Sequence, residues 1–194
     1  MQRIEISIIV IFILCSGCSQ RDFLQGYVVL NSGDTLGGLV KDRKEGFSPR
    51  LLNPIIFKGE KRRKKFGPDA IQAYHRGGFD FHSIPFSQGN DLLGLSRISI
   101  GQHQFLKVYI SDYLSLYESE WKDGNSSNFS GTYYLKREDE VQFTVVSLLG
   151  FRKKMAGYFD DASEISSSIV EKDYKFRDLF ELVSDYNQWY REQE

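Results

Sequence analysis

Apolar and polar residues alternate in short runs over roughly the first two thirds of the chain, the period of strands that bury one face. Gly26 to Leu30 and Thr35 to Val40 flank the turn Asn31-Ser32-Gly33-Asp34 and predict a hairpin. Residues 41 to 52 are charged, carry Gly46 and Pro49, and read as a loop before the strand Pro54 to Phe57. Gly67-Pro68-Asp69 turns the chain into Ala70 to His75, which Gly77-Gly78 joins to Phe79 to Ile84 as a second hairpin. A loop spans residues 85 to 95, and Leu106, Val108 and Ile110 then share one face of a strand from Gln104 to Ile110. Ser111-Asp112 turns it back into Tyr113 to Glu118, and the polar loop Lys122 to Asn128 leads to a strand from Gly131 to Leu135.

Around residue 145 the period lengthens to about 3.6, with Leu148, Phe151, Met155 and Tyr158 on one face, so a helix is expected to begin there. Asp161 and Glu164 have capping-box spacing before Ile165 and Ile169. Phe176, Leu179, Phe180, Val183, Tyr186 and Tyr190 form an unbroken apolar stripe and predict a long C-terminal helix. The expected fold is α+β: an N-terminal antiparallel β-meander of about six to eight strands, as a sheet or open barrel, followed by about two to three C-terminal helices.

The N-terminus has a different character. Arg3 precedes the apolar run Ile8 to Leu14, and Ser16-Gly17 stand before Cys18, the layout of a lipoprotein signal peptide with lipid on Cys18. The apolar run is shorter than the roughly 20 residues that cross a bilayer as a helix. The expected organisation is a signal peptide over 1–17, a lipidated tether over 18–25, an antiparallel β domain over 26–143 and a helical segment over 144–194 packed on it. Ser19 after the cysteine points to the outer membrane, and the absence of an acidic tract in residues 19 to 22 favours its periplasmic face. The membrane, through that lipid, is then the first partner. With Cys15 removed and Cys18 acylated, the mature domain has no thiols and rests on packing alone. A net charge of −1 gives no general attraction to nucleic acid.

Three groups of residues could carry chemistry. A two-residue Gly77-Gly78 turn pairs His75 with Asp80 and Ala73 with His82, so His75, Asp80 and His82 share a face and supply ligand types suited to zinc or ferrous iron. Lys61, Arg62, Arg63, Lys64 and Lys65 form a basic run that suits polyanions, and that equally blunts the edge of a hairpin turning at Gly59-Glu60. Tyr109, Tyr113, Tyr117 and Trp121 stand in neighbouring strands of a chain with 15 Phe and 11 Tyr, and could stack on a sugar or peptide. No nucleophile elbow, phosphate-binding glycine loop, HExxH or GxGxxG is present, and no motif asks for a cofactor.

Gly26 to Leu30 with Gly33-Asp34-Thr35-Leu36-Gly37-Gly38, Asn53-Pro54 before Ile55-Ile56-Phe57, and Pro68-Asp69-Ala70-Ile71 resemble the opening of uncharacterised exported proteins and lipoproteins of Bacteroidota, which share a GYIVLxxGDTxxGxI…NPxxIxF…PxDI pattern. The likeness extends loosely through Phe105-Leu106-Lys107-Val108 and Leu114-Ser115-Leu116-Tyr117 to Leu182 to Asn187. It implies an exported envelope protein and no particular reaction. The expectation is therefore a membrane-tethered lipoprotein acting as a non-enzymatic binding or structural module, with an envelope protein or glycan held on its aromatic strands. The alternative is a metal-dependent enzyme using His75, Asp80 and His82.

Overall fold

The alternating stretches become strands, and among the described residues ten strands join one antiparallel sheet in the order β10-β9-β8-β7-β6-β5-β1-β2-β3-β4. The computed structural model describes residues 22–43, 53–60, 62–85, 103–122 and 129–193. The strands are β1 (Phe23–Leu30), β2 (Thr35–Lys41), β3 (Ile55–Lys58), β4 (Arg63–Phe66), β5 (Ile71–Arg76), β6 (Phe79–Pro85), β7 (His103–Ile110), β8 (Leu114–Lys122), β9 (Phe129–Arg137) and β10 (Thr144–Val146). Helices α1 (Phe151–Tyr158), α2 (Ser163–Glu171) and α3 (Leu179–Arg191) follow. The α+β class and the leading antiparallel sheet match the expectation, with more strands than the pattern suggested. Among the described residues, no helix is long and apolar enough to cross a membrane.

The sheet is two meanders sharing a centre, because β5 pairs with β1 instead of β4. Strands β4 and β5 have three strands between them, a separation of about 19 Å in a flat sheet. Residues 67–70 bridge that gap with a reach of about 18 Å at full extension. A 3-10 turn at Pro68–Ala70 shortens the link further, so strands β1 to β5 must curl toward one another. Pro68 is buried in the curl, and the Ser83 hydroxyl on β6 donates to its carbonyl at 2.6 Å.

Strand alternation sorts the side chains into two cross-sheet rows. On one face, register links Val28, Tyr74, Phe81, Lys107, Glu118, Tyr133 and Val146 across seven strands. The curl covers the first part of this face, where Val28, Val40, Ile55, Tyr74 and Phe105 are fully buried. The helices cover the last part, packing Met155, Phe159, Ile169, Leu182 and Tyr186 on Leu114, Leu116 and Leu135. Lys107 and Glu118 lie between the two cores. There the Lys107 ammonium donates to the Tyr109 hydroxyl at 3.1 Å, which donates to Glu118 at 2.7 Å. On the opposite face the row runs Tyr27, His75, Asp80, Val108, Tyr117, Tyr134 and Val145.

Helix α3 is held by more than apolar area. The Asn187 side chain, buried against β8, accepts from the Leu114 amide and donates to the Leu114 carbonyl, both at 2.8 Å. It completes the strand end as another strand would.

Three local expectations need correction. Thr144–Val146 form β10, not helix, and α1 begins at Phe151 after Gly150 in a left-handed conformation. Val145 turns to one face and Val146 to the other, and three residues are too few for either period to show. Asp161 does not cap α2, whose N-cap Ala162 makes no side-chain bond; its carboxylate is taken by Arg137 and Tyr186. Strand β1 begins at Phe23, within the stretch expected to be tether.

Candidate functional site

The second hairpin has the expected register: Arg76 pairs with Phe79, His75 with Asp80 and Ala73 with His82. Gly77 (φ +58°) and Gly78 (φ +87°) both occupy the left-handed region that a two-residue turn of this kind requires. His75 Nδ1 lies 2.8 Å from Asp80 Oδ1, which also accepts from the Tyr27 hydroxyl at 3.0 Å. The Tyr27 and His75 rings stack at 5.2 Å and 9°. Burial, reinforced by the bond to Asp80, raises the Tyr27 phenol above its ordinary range.

His82 shares this face but belongs to another environment, its ring 5.8 Å from that of Tyr117. Among the described residues, no three His, Cys, Asp or Glu side chains are placed to hold a metal ion. The arrangement is a tyrosine-braced His–Asp pair with a separate, part-buried histidine beside it.

Burial lowers the His82 pKa from its ordinary 6.5, with the Asp80 charge opposing. The unfolded chain then binds the proton more tightly than the folded one. This contribution to stability is complete above about pH 6.5 and is lost as the pH falls toward the folded value. His82→Gln is expected to remove that loss, measured as a smaller drop in unfolding free energy between about pH 7.5 and about pH 5 than in the parent. Equal drops in the two proteins would refute it.

The tyrosines expected to form one surface are divided. Tyr109 meets the Phe180 ring edge-on at 5.0 Å under α3. Tyr113 stacks on Tyr190 with centroids 3.5 Å apart, and its hydroxyl donates to Asp139 at 3.2 Å. Burial and that carboxylate push its pKa up to about 12. Tyr117 is buried on the opposite face against His82 and Phe143. Trp121 lies in β8 opposite Ser130, its side chain outside the described residues. Among the described side chains, Tyr109, Tyr113 and Tyr117 serve packing on both faces of the sheet and do not unite as a platform.

Arg62 to Lys65 are exposed, with Arg63, Lys64 and Lys65 on β4, the outermost strand on its side among the described residues. This is the blunted edge considered from the sequence, where charge discourages pairing with another chain. Lys61 and Cys18 lie outside the described residues.

Two features escaped the sequence. The first is Arg137 on β9, whose Nε donates to Tyr186 Oη at 3.0 Å and Nη1 to Glu140 at 3.1 Å. Its Nη2 donates to the Tyr158 carbonyl at 2.6 Å and to Asp161 at 2.9 Å. One guanidinium thus ties the sheet to α1, to the α1–α2 turn and to α3. Burial, with Asp161 accepting its proton, holds the Tyr186 phenol well above its ordinary range.

The second is an open groove of about 880 Å³ where the start of α1 meets the turn from α2 to α3. Leu148, Phe151, Val170, Tyr174 and Phe176 supply its apolar surface. Arg152, Lys153, Lys172 and Lys175 also line it, and no acidic residue does. None of these four cations has an ion-pair partner among the described residues. Gly150 gives the N-terminus of α1 no side-chain cap, so the positive end of the helix adds to the same field. Such a groove suits an anion that carries apolar substance. Comparison of the chain with protein-family models, with curated proteins and with solved structures returned no match.

Proposed function

We propose that this protein is a cell-envelope lipoprotein, tethered through lipid on Cys18 at the periplasmic face of the outer membrane, that works as a non-enzymatic binding module. Its working surface is the cation-lined groove beside α1, not the aromatic strands. The observation that carries this reading is the gathering of four cations, none with an ion-pair partner among the described residues, in a lining that includes no acid, around an apolar hollow whose Tyr174 hydroxyl donates to Asp185 just outside that lining, in a chain whose net charge is −1. Buried charges find partners, and exposed ones are normally mixed in sign; a segregated set beside apolar surface is the arrangement of a binding site.

The tether follows from Ser16-Gly17-Cys18 and from the short apolar run before it. Four residues lie between Cys18 and Phe23, so five Cα–Cα steps keep the start of β1 within about 18 Å of the lipidated cysteine. Cys18→Ser is expected to move the protein from the membrane fraction to the soluble periplasmic fraction, read by fractionation and immunoblotting. Membrane retention equal to the parent's would overturn the tether.

A further inference from the structure

We infer that the groove docks the domain on the surface of an anionic phospholipid bilayer. This rests on the proposal that the groove is the binding surface, and it names the ligand: lipid phosphate among the cations, with acyl chain against the aliphatic rim.

Exposure of the aliphatic residues favours a bilayer. Leu148 is 72% exposed, the neighbouring Leu149 87% and Val170 60%, which is the projection expected of side chains that enter a lipid interface. They project from the β10–α1 turn and the end of α2, next to the first turn of α1 and the α2–α3 turn, which carry the lining cations. Lysine and arginine beside apolar side chains are the two components of interfacial membrane binding: apolar insertion and attraction to anionic headgroups. Size argues the same way. Ten residues line the groove, whereas a stable protein interface takes roughly 20–30 residues on each side. A bilayer needs no such matched area, and a lipid tether on the same chain would hold one at high local concentration.

The direct test uses the chain from residue 18 onward with Cys18→Ser, which carries no lipid and keeps every described residue. Its sedimentation with vesicles of phosphatidylglycerol mixed with phosphatidylcholine is compared with that on phosphatidylcholine alone, and with its binding to polyglutamate. Binding to the anionic vesicles that weakens as salt rises is expected. Each cation at a membrane surface contributes about fivefold, so Lys172→Ser with Lys175→Ser should weaken binding about 25-fold. Leu148→Ser with Leu149→Ser should weaken vesicle binding and leave polyglutamate unaffected. All four positions are exposed, and circular dichroism checks that the variants remain folded. Polyglutamate binding lost in the lysine variant, with no binding to anionic vesicles, would overturn the lipid assignment in favour of an acidic protein partner. Self-association through this face, lost in the leucine variant and without vesicle binding, would overturn it in favour of a second copy. Indifference of both probes to the lysine changes would overturn the groove as a binding surface as well. Retention through Cys18 is read separately, because the Cys18→Ser chain carries no lipid.

Discussion

Arg137→Met is expected to destabilise the protein by about 3 kcal/mol, with the helices loosening from the sheet before the sheet itself opens. The Arg137 side chain is 13% exposed and its guanidinium makes four bonds, to Tyr186, Glu140, the Tyr158 carbonyl and Asp161. Hydrogen bonds to a charged group contribute about 1.5–3 kcal/mol each, but they do not add, and Glu140 and Asp161 are 29% and 43% exposed and can recover water. The lower end of the range for breaking a buried ion pair is therefore the reasonable figure. Methionine keeps most of the apolar stem, so the loss reports the charge and its bonds. Urea unfolding read by circular dichroism measures it, and Trp189, packed 5.4 Å from Tyr186, gives a fluorescence signal weighted to α3. Asp161→Asn in the same background should cost less than it does alone, because the two changes share one interaction. A loss below about 1 kcal/mol would mean that the apolar core alone holds the helices.

Gly26→Val is expected to be comparably damaging at the opposite side of the molecule, by about 3 kcal/mol, the upper end for forced overpacking. A Cβ at residue 26 would lie 2.0 Å from the His75 carbonyl oxygen, an atom of the β5 backbone that cannot move without breaking the ladder. The β1–β5 ladder joins the two meanders, so strain there acts on the whole sheet. Gly37 on β2 supplies the control, since a Cβ there meets nothing within 4 Å. Gly37→Ala should be neutral or stabilise by up to about 1 kcal/mol through the lower entropy of the unfolded chain. Equal melting temperatures for parent and Gly26→Val would show that the strands can separate locally at no cost.

The same glycines show what was legible in advance. Gly77-Gly78 set the register of the second hairpin because a two-residue turn with both φ angles positive admits one pairing, and neighbouring residues alone define it. The final helix was legible because its stripe persists for several turns. Val145 and Val146 were not, since three residues in an edge strand display no period. Asp161 was misread for another reason. Its spacing to Glu164 suits a cap, but Arg137, 24 residues earlier, binds its carboxylate. For the candidate site, His75 and Asp80 met as the turn required, while His82 went to Tyr117, whose position depends on two further ladders.

The sequence by itself determined the strand and helix pattern, the turns and the pairing within short hairpins, because period and turn chemistry act over a few residues. The tertiary structure decided the return of β5 to β1, the division of the tyrosines between two faces and the Arg137 junction. It also brought Arg152 and Lys153 beside Lys172 and Lys175, cations some twenty residues apart that share a groove only because α1 and α2 pack as an antiparallel pair. Contacts of that kind depend on how whole elements dock, and no window of neighbouring residues contains the information.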